Sequence, residues 1–185
     1  KHFTPNYNPW DQRMCLVPNG DLFKSIRKKQ TSVVTDTIDK FTATGIKLES
    51  GKTLAADLIV TATGLNLEIC SNINLKVDGK DINLPDTVTY KGMMFSGVPN
   101  LVSTFGYTNA SWTLGADLTS EYVCRLLNYM KKGSIKKCCP EANSKIENND
   151  DWLNLTSGYI KRSKDIFPKQ GNRSPWTNNQ NFLRD

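Results

Sequence analysis

The chain has 185 residues, of which 38% are hydrophobic, and its 24 Lys and Arg against 18 Asp and Glu give a formal net charge of +6. This length accommodates one domain or parts of two. The basic residues form short clusters without interleaved aromatic residues, unlike a nucleic-acid-binding surface. No apolar run approaches the roughly 20 residues that a transmembrane helix needs. We therefore predict no nucleic-acid partner and no transmembrane segment.

The five cysteines are irregularly spaced, include no Cys-x-x-Cys pair and are accompanied by a single histidine, His2. This pattern does not match the Cys and His spacing of a zinc site, so we predict no bound metal. Reduced thiols and the absence of a signal-peptide pattern favour a cytoplasmic protein. Since the sequence does not begin with Met, we expect it to be a portion of a longer protein.

Residues 1–18 predict an irregular loop, because three prolines interrupt them and two large aromatic residues can anchor them. The loop carries the polar trio Asp11-Gln12-Arg13. Such a trio either belongs to a functional site or is an ordinary surface Arg beside an acid. A short amphipathic helix is predicted next, from Leu22 to Lys29, with a basic carboxyl end that suits the helix dipole.

The pattern then changes to short strands. We predict one at Ser32–Val34 and two more at Thr37–Thr42 and Gly45–Leu48, where apolar and polar residues alternate. A hairpin turn follows at residues 49–52, with Gly51 at its positive-φ position. This order is typical of the closing half of a nucleotide-binding α/β unit.

The stretch Leu58–Ala62 has the length and β-branched content of a strand buried on both faces. Thr63-Gly64 ends it with a residue that can turn in any direction. Open α/β sheets place ligands where such a strand ends. The alternative is a plain core strand followed by an ordinary turn.

The second half of the chain predicts a hairpin at Asp78-Gly79 and short strands at Met93–Phe95 and Leu101–Phe105. The longest helix begins at Ser111 or Trp112 and runs to Met130, and Gly133 ends it. Small polar residues between Gly106 and this helix could present backbone N–H groups to an anion or a polarised carbonyl. An ordinary capped strand-to-helix turn is the competing interpretation.

The last third of the chain is predicted to contain little regular structure. Residues 134–150 are polar and charged and read as a flexible connector. A short helix is expected at Ser157–Lys164, followed by a coil that could lie across a domain surface by Trp176 and Phe182. Nowhere does the chain carry a nucleophile elbow, a P-loop or a Gly-x-Gly-x-x-Gly fingerprint.

Three blocks together resemble the carboxyl-terminal half of a flavin-containing monooxygenase of the Baeyer–Villiger type, in particular its ethionamide-activating subgroup. They are residues 2–13 (HFTPNYNPWDQR), 57–65 (DLIVTATGL) and 106–114 (GYTNASWTL), and the tail at 168–176 is similar to that subgroup as well. The likeness covers nearly the whole chain. The three blocks are specific jointly, whereas Ala62-Thr63-Gly64 alone would be weak.

The resemblance implies an α/β fold, namely part of a Rossmann-like flavoprotein with two dinucleotide-binding domains, short strands, a long helix and a coil-rich tail. In it, residues 1–64 would close the NADP-binding domain, 65–133 would close the FAD-binding domain, and 134–185 would form a connector and surface tail. The implied cofactors are FAD and NADPH. The implied reaction uses O₂, through a flavin peroxide, to insert oxygen into a ketone or to oxidise the sulfur of a thioether.

The resemblance also implies site residues. Arg13 matches the arginine that stabilises negative charge on the flavin and holds the nicotinamide, a role that suits a permanent cation with fork-like donors. The predicted cofactor-binding residues are Ala62, Thr63 and Gly64 between the two cofactor domains, and Asn109, Ser111, Trp112 and Thr113 at the helix N-terminus under the flavin pyrimidine.

Two departures from the family pattern qualify these expectations. Gly115 stands within the long helix where relatives carry a basic residue, at a cost of about 1 kcal/mol in helix propensity. The glycine fingerprints that hold both pyrophosphates are absent from these 185 residues, so we expect the chain alone to be inactive and to need the N-terminal portion of the same protein. A heteroatom or N-hydroxylating flavin monooxygenase, and an inactive α/β interaction module, are the alternatives.

Overall fold

In the computed structural model, the described residues are 2–9, 11–12, 15–70, 73–108, 110–143, 148–149, 153 and 156–185. The chain divides into a first unit of residues 1–9 and 14–65 and a second unit of residues 10–13 and 66–185. The predicted division into 1–64, 65–133 and 134–185 as parts of two cofactor domains and a tail stays a prediction.

The described residues form short strands and three α-helices. The helices are α1 (Asp21–Arg27), α2 (Trp112–Lys132) and α3 (Gly158–Arg162). The strands are β1 (Ile38–Thr42), β2 (Gly45–Leu48), β3 (Thr53–Ala55), β4 (Lys76–Val77), β5 (Lys80–Asp81), β6 (Thr89–Tyr90), β7 (Met94–Phe95), β8 (Asn148–Asn149) and β9 (Gln170–Gly171). This mixture confirms the predicted α/β composition with a long helix.

The first unit contains an antiparallel meander in the order β1-β2-β3. Ile46 of β2 lies opposite Phe41 of β1 and Leu54 of β3, so apolar side chains meet across both ladders. The turn between β2 and β3 places Gly51 at φ +85°, as predicted. Helix α1 is confirmed as well, although its N-cap is Gly20 and no side chain caps it.

Two strand predictions in this unit are wrong. Ser32–Val34 is irregular, and so is Leu58–Ala62, where Leu58 is 81% exposed and Val60 is 79% exposed. A strand buried on both faces lies inside a sheet, between hydrogen-bonded neighbours and with other elements packed over each face. The meander ends at Ala55, and no described residue of this unit pairs with Leu58–Ala62. The apolar composition of the stretch is therefore not matched by burial within this chain.

The second unit contains two-stranded antiparallel ribbons, β4–β5, β6–β7 and β8–β9. The predicted hairpin at Asp78-Gly79 is confirmed, since both residues have positive φ, as a type I′ turn requires. Val88 bridges to Lys169 and shares a buried cluster with Trp176 and Tyr90. The tail is thereby joined to the core beside β6.

Helix α2 is confirmed within two residues of its predicted end, and Gly133 is its C-cap, donating to the Tyr129 carbonyl oxygen. The predicted strand Leu101–Phe105 is wrong. The segment is irregular and forms no ladder, and Ser103 donates its N–H to the Met93 carbonyl oxygen at 2.7 Å. A single bond of this kind holds the segment beside β7 without creating a strand.

Residues 138–140 of the predicted connector hydrogen-bond to the turn after β7, whereas Asn148–Asn149 form β8 and pair with β9. Asn100 donates its N–H to the Cys138 carbonyl oxygen at 2.8 Å, and its side-chain oxygen accepts from the Cys138 N–H at 2.9 Å. In the tail, Trp176 is buried whereas Phe182 is exposed, so only the first of the two predicted anchors packs. No helix among the described residues combines the length and the apolar character needed to cross a membrane.

Candidate functional site

The segment that leads into α2, residues 105–111, is called the pre-helix loop below. Its described residues are held from the first turn of the helix, because the Phe105 and Trp112 rings pack at a centroid distance of 4.9 Å and an angle of 59°. Gly106 lies beneath the Trp112 ring and is buried. A Cβ at Gly106 would lie 2.5 Å from the Trp112 carbonyl oxygen and closer still to the indole, so this contact requires glycine.

Gly115 completes the same contact from the helix side. A Cβ there would lie 3.1 Å from the Gly106 Cα and 3.2 Å from the Phe105 carbonyl oxygen. A Cβ there would therefore require one of the two backbones to give by a few tenths of an ångström. The sequence suggested a propensity cost and the absence of a basic residue at Gly115, and the structure adds a tight packing contact.

The N-terminus of α2 carries the predicted residues Ser111, Trp112 and Thr113, and the structure brings these three together. Ser111 is the N-cap residue, and its Oγ lies 2.7 Å from the Thr113 Oγ1 instead of capping a backbone N–H. All three residues are exposed, and the first turn contains no acidic residue. A helix end of this kind presents N–H groups and the positive end of the dipole, which suit an electron-rich ring such as the flavin pyrimidine. The residues present thus fit the cofactor that the resemblance implies.

The tail hydrogen-bonds to the pre-helix loop. The Gln180 side-chain oxygen accepts from the Thr108 N–H at 2.9 Å and from the Thr108 hydroxyl at 3.1 Å. The neighbouring Tyr107 is only 5% exposed. Burial, followed by the nearby Asp185 carboxylate, raises the pKa of Tyr107 to about 12. A side chain of the tail therefore fixes Thr108, and the residue before it is buried.

A cavity of about 90 Å³ lies between α2, the segment after β6 and the tail. It is lined by Lys91, Gly92, Met93, Phe105, Tyr107, Gly115, Leu118, Thr119, Tyr122, Arg125, Asn178, Gln180 and Asp185. Burial and a hydrogen bond with Tyr90 raise the pKa of Tyr122 to about 12. Since sites for drug-sized ligands and cofactors occupy hundreds of cubic ångströms, this cavity is too small to hold FAD.

The predicted residues Ala62, Thr63 and Gly64 belong to the first unit and lie in an irregular, exposed segment. Gly64 has φ +99°, as the predicted turn requires, and a Cβ added there would meet no atom within 4 Å. The segment thus has the freedom of a turn, and its part in cofactor binding stays a prediction.

Arg13 and Asn109 lie outside the described residues, so the roles expected for them also stay predictions. Sequence reasoning missed Tyr107, Gln180 and Asp185 as parts of the site. The amide-rich run Asn178-Asn179-Gln180-Asn181 was a usable signal, because such side chains favour bonds to backbone groups over secondary structure. Among the described residues, no group of His, Cys, Asp and Glu could hold a metal ion.

The sequence is similar to those of several known proteins. The chain is 56% identical over 185 residues to the "FAD-containing monooxygenase EthA" of Mycobacterium tuberculosis, covering 100% of this chain and 38% of that protein. It is 52% identical over 185 residues to the EthA of Mycolicibacterium smegmatis, with the same coverage. It is 50% identical over 186 residues to the "Probable FAD-binding monooxygenase AlmA" of Acinetobacter baylyi, covering 100% of this chain and 37% of that protein.

The chain therefore spans well under half the length of the curated relatives that it matches. No family model matches the sequence. No solved structure matches it either.

Proposed function

From the premise that this chain is a carboxyl-terminal portion of an FAD-containing monooxygenase of the EthA, AlmA and MymA group, we propose that the whole protein is an FAD- and NADPH-dependent monooxygenase. Its substrates are ketones, which it converts by Baeyer–Villiger insertion, or thioethers, which it oxidises at sulfur. The single observation that carries the proposal is the 56% identity over all 185 residues to a relative named an FAD-containing monooxygenase.

Within this chain, the N-terminus of α2 is the proposed contribution to the FAD site. When bound, FAD supplies the redox chemistry by which NADPH reduces the flavin and O₂ is activated. The N–H groups of the first turn, with the Ser111 and Thr113 hydroxyls beside them, would orient the ring and stabilise its negative charge. Trp112, packed on Phe105, would keep that helix end in place.

Arg13 is the proposed catalytic residue. A guanidinium keeps its positive charge at every working pH, and its planar fork of donors can stabilise an anion and orient a nicotinamide amide. In a site from which water is excluded, such a fixed charge stabilises developing negative charge far better than water does.

The direct test uses the full-length protein, supplied with FAD, NADPH and O₂ and offered one ketone and one thioether. We expect substrate-dependent NADPH consumption and incorporation of one ¹⁸O atom from ¹⁸O₂ into an ester or a sulfoxide. Oxygenation of an amine only would favour the N-hydroxylating alternative. Failure to bind flavin, with a specific macromolecular partner instead, would favour the interaction module.

Arg13→Ala is the matching variant. We expect it to lower the rate of oxygenated-product formation by on the order of a hundred-fold or more, as when one electrostatic donor is removed from an active site. Arg27→Ala is the control, because Arg27 is an exposed arginine at the end of α1. Product formation by Arg13→Ala at the control's rate would remove Arg13 from the mechanism.

The 185-residue chain alone is proposed to be inactive, because its sequence holds neither pyrophosphate-binding fingerprint. We expect the purified chain to carry no stoichiometric flavin. A yellow protein with one FAD per chain would contradict this part of the proposal.

A further inference from the structure

We propose that Gln180 is a positioning residue, which holds the pre-helix loop in the conformation that receives FAD. This inference rests on the proposed function for the cofactor itself, but the contacts that carry it lie entirely within the second unit. Gln180 and Thr108 are 72 positions apart in sequence, so their contact is a property of the fold and of no local motif.

Gln180 belongs to the tail, and the start of this tail is anchored to the core of the second unit. The tail is tied to β6 by Thr89 N–H to Lys169 O and by Lys169 N–H to Thr87 O, both at 2.8 Å. Trp176 is buried beside this connection, with its ring edge-on to Tyr90 at 5.4 Å. The start of the tail is therefore packed into the core and can serve as a rigid support.

The second step is a relay of amide side chains along the tail. The Gln170 Oε1 accepts from the Asn178 N–H at 3.1 Å, and the Asn178 Oδ1 accepts from the Gln180 N–H at 3.2 Å. The Gln180 Oε1 then accepts both bonds from Thr108. Each amide side chain accepts a hydrogen bond from the backbone N–H of the next residue in this series. The position of Thr108 therefore depends on the buried Gln170.

The third step is the closed end of the tail beside Tyr107. The Asp185 carboxylate accepts from the Asn179 N–H at 3.1 Å and from the Asn181 N–H at 3.0 Å, which closes the end of the tail on itself. Asp185 and the buried Tyr107 line the same cavity as Gln180. Thr108 is thus held by Gln180 three residues before the N-cap of α2, and Tyr107 is packed next to it.

The consequence is preorganisation. The loop is fixed on one side by the Gly106–Gly115 approach and on the other by Gln180, so the N–H groups that follow it are aimed before any ligand arrives. A site held in its bound geometry avoids the ordering cost of binding. Loss of the Gln180 bonds should therefore weaken FAD binding without removing any group that touches FAD.

The experiment compares three variants of the full-length protein. Gln180→Met keeps the length of the side chain and removes the acceptor, whereas Gln180→Glu keeps an acceptor oxygen. Leu183→Ala is the control, since Leu183 belongs to the same tail but is 92% exposed. Hydrogen exchange of the apo protein, read on the peptide that contains Thr108, and the dissociation constant of FAD are measured for each.

For Gln180→Met we expect about ten-fold faster exchange at the Thr108 peptide and about ten-fold weaker FAD binding, as for a partly buried N–H that has lost its acceptor. Gln180→Glu and the control should stay within about two-fold of wild type in both readouts. Thr108→Val, which keeps the N–H and loses only the hydroxyl bond, should weaken FAD binding by about two- to three-fold.

Wild-type values for Gln180→Met would overturn the positioning role, as would equal losses in Gln180→Met and Gln180→Glu. If Gln180→Met does not fold, a wild-type FAD affinity in Thr108→Val would overturn it. A wild-type protein that binds no FAD would overturn the proposed function and this role together. That outcome is distinguishable, because it appears before any substitution is made.

Discussion

Two glycine-containing segments that include residues assigned to cofactor binding by the family resemblance differ in what surrounds them. Residues 58–64 of the first unit are irregular and exposed, and Gly64 is present for its positive φ in open space. The pre-helix loop of the second unit is also irregular, but Gly106 is buried and leaves no room for a Cβ. The same residue type therefore serves conformation in one segment and close packing in the other.

The two segments differ in the contacts that hold them in place. The pre-helix loop takes its order from α2 and from Gln180, both of which this chain supplies. For residues 58–62 no pairing partner is found among the described residues of their unit. Substitutions at packed and at exposed positions should consequently differ in the size of their effect, and each prediction below tests that difference.

The largest effect is expected for Gly106→Ala. Its Cβ would overlap the Trp112 ring and backbone, so the start of α2 must shift, at a cost of about 3 kcal/mol in the free energy of unfolding. Urea unfolding followed by tryptophan fluorescence reports on this unit, because the described tryptophans, Trp112 and Trp176, belong to it. An unfolding midpoint equal to that of the unsubstituted chain would show that close packing does not restrict position 106 to glycine.

A pair of matched valines gives the next effect. Val98 is 3% exposed, and Val98→Ala should lower the free energy of unfolding by about 2 kcal/mol through lost apolar burial. Val60→Ala should change it by less than about 0.5 kcal/mol, because the side chain is already exposed. Circular dichroism during urea unfolding would measure both, and equal losses would contradict the contrast.

Gly64→Ala should have a smaller effect than Gly106→Ala. With φ at +99° and open space around the Cβ, the cost is backbone strain alone, about 1 kcal/mol. The measurement is again the unfolding midpoint by circular dichroism. A loss larger than that of Gly106→Ala would mean that packing, not conformation, restricts position 64.

The free energy of unfolding should depend on pH through Tyr107, which lies beside the tail. Tyr107 has a pKa of about 12 in the folded chain, against about 10 when unfolded, so the unfolded state binds fewer protons between these values. Its contribution to stability is complete below about pH 10 and is lost as the pH rises toward 12. Tyr107→Phe should flatten this loss between about pH 10 and 12, whereas Tyr129→Phe, at an exposed position, should not.

Local patterns predicted the fold where order is local. The periodic apolar positions and Gly133 gave helix α2 within two residues of its end, and Asp78-Gly79 identified its hairpin because the turn itself demands positive φ at both residues. Leu58–Ala62 was mispredicted because β-branched composition describes a strand only when neighbours exist to pair with it.

The site was predicted less completely for the same reason. The resemblance implied Ser111, Trp112 and Thr113, which the structure places at the N-terminus of α2, but the bonds of Gln180 to Thr108 span 72 residues and leave no local trace. Helix propensity could not predict the packing at Gly115, because it considers the helix alone and the close approach to Gly106 involves a second segment.

Hydrogen exchange of the full-length protein titrated with FAD tests most directly whether the flavin binds at the N-terminus of α2. We expect peptides covering residues 105–116 to gain protection as FAD binds, and peptides covering the meander at residues 38–55 to remain unchanged. Saturation with FAD that leaves residues 105–116 unprotected would contradict the placement of the flavin at the N-terminus of α2.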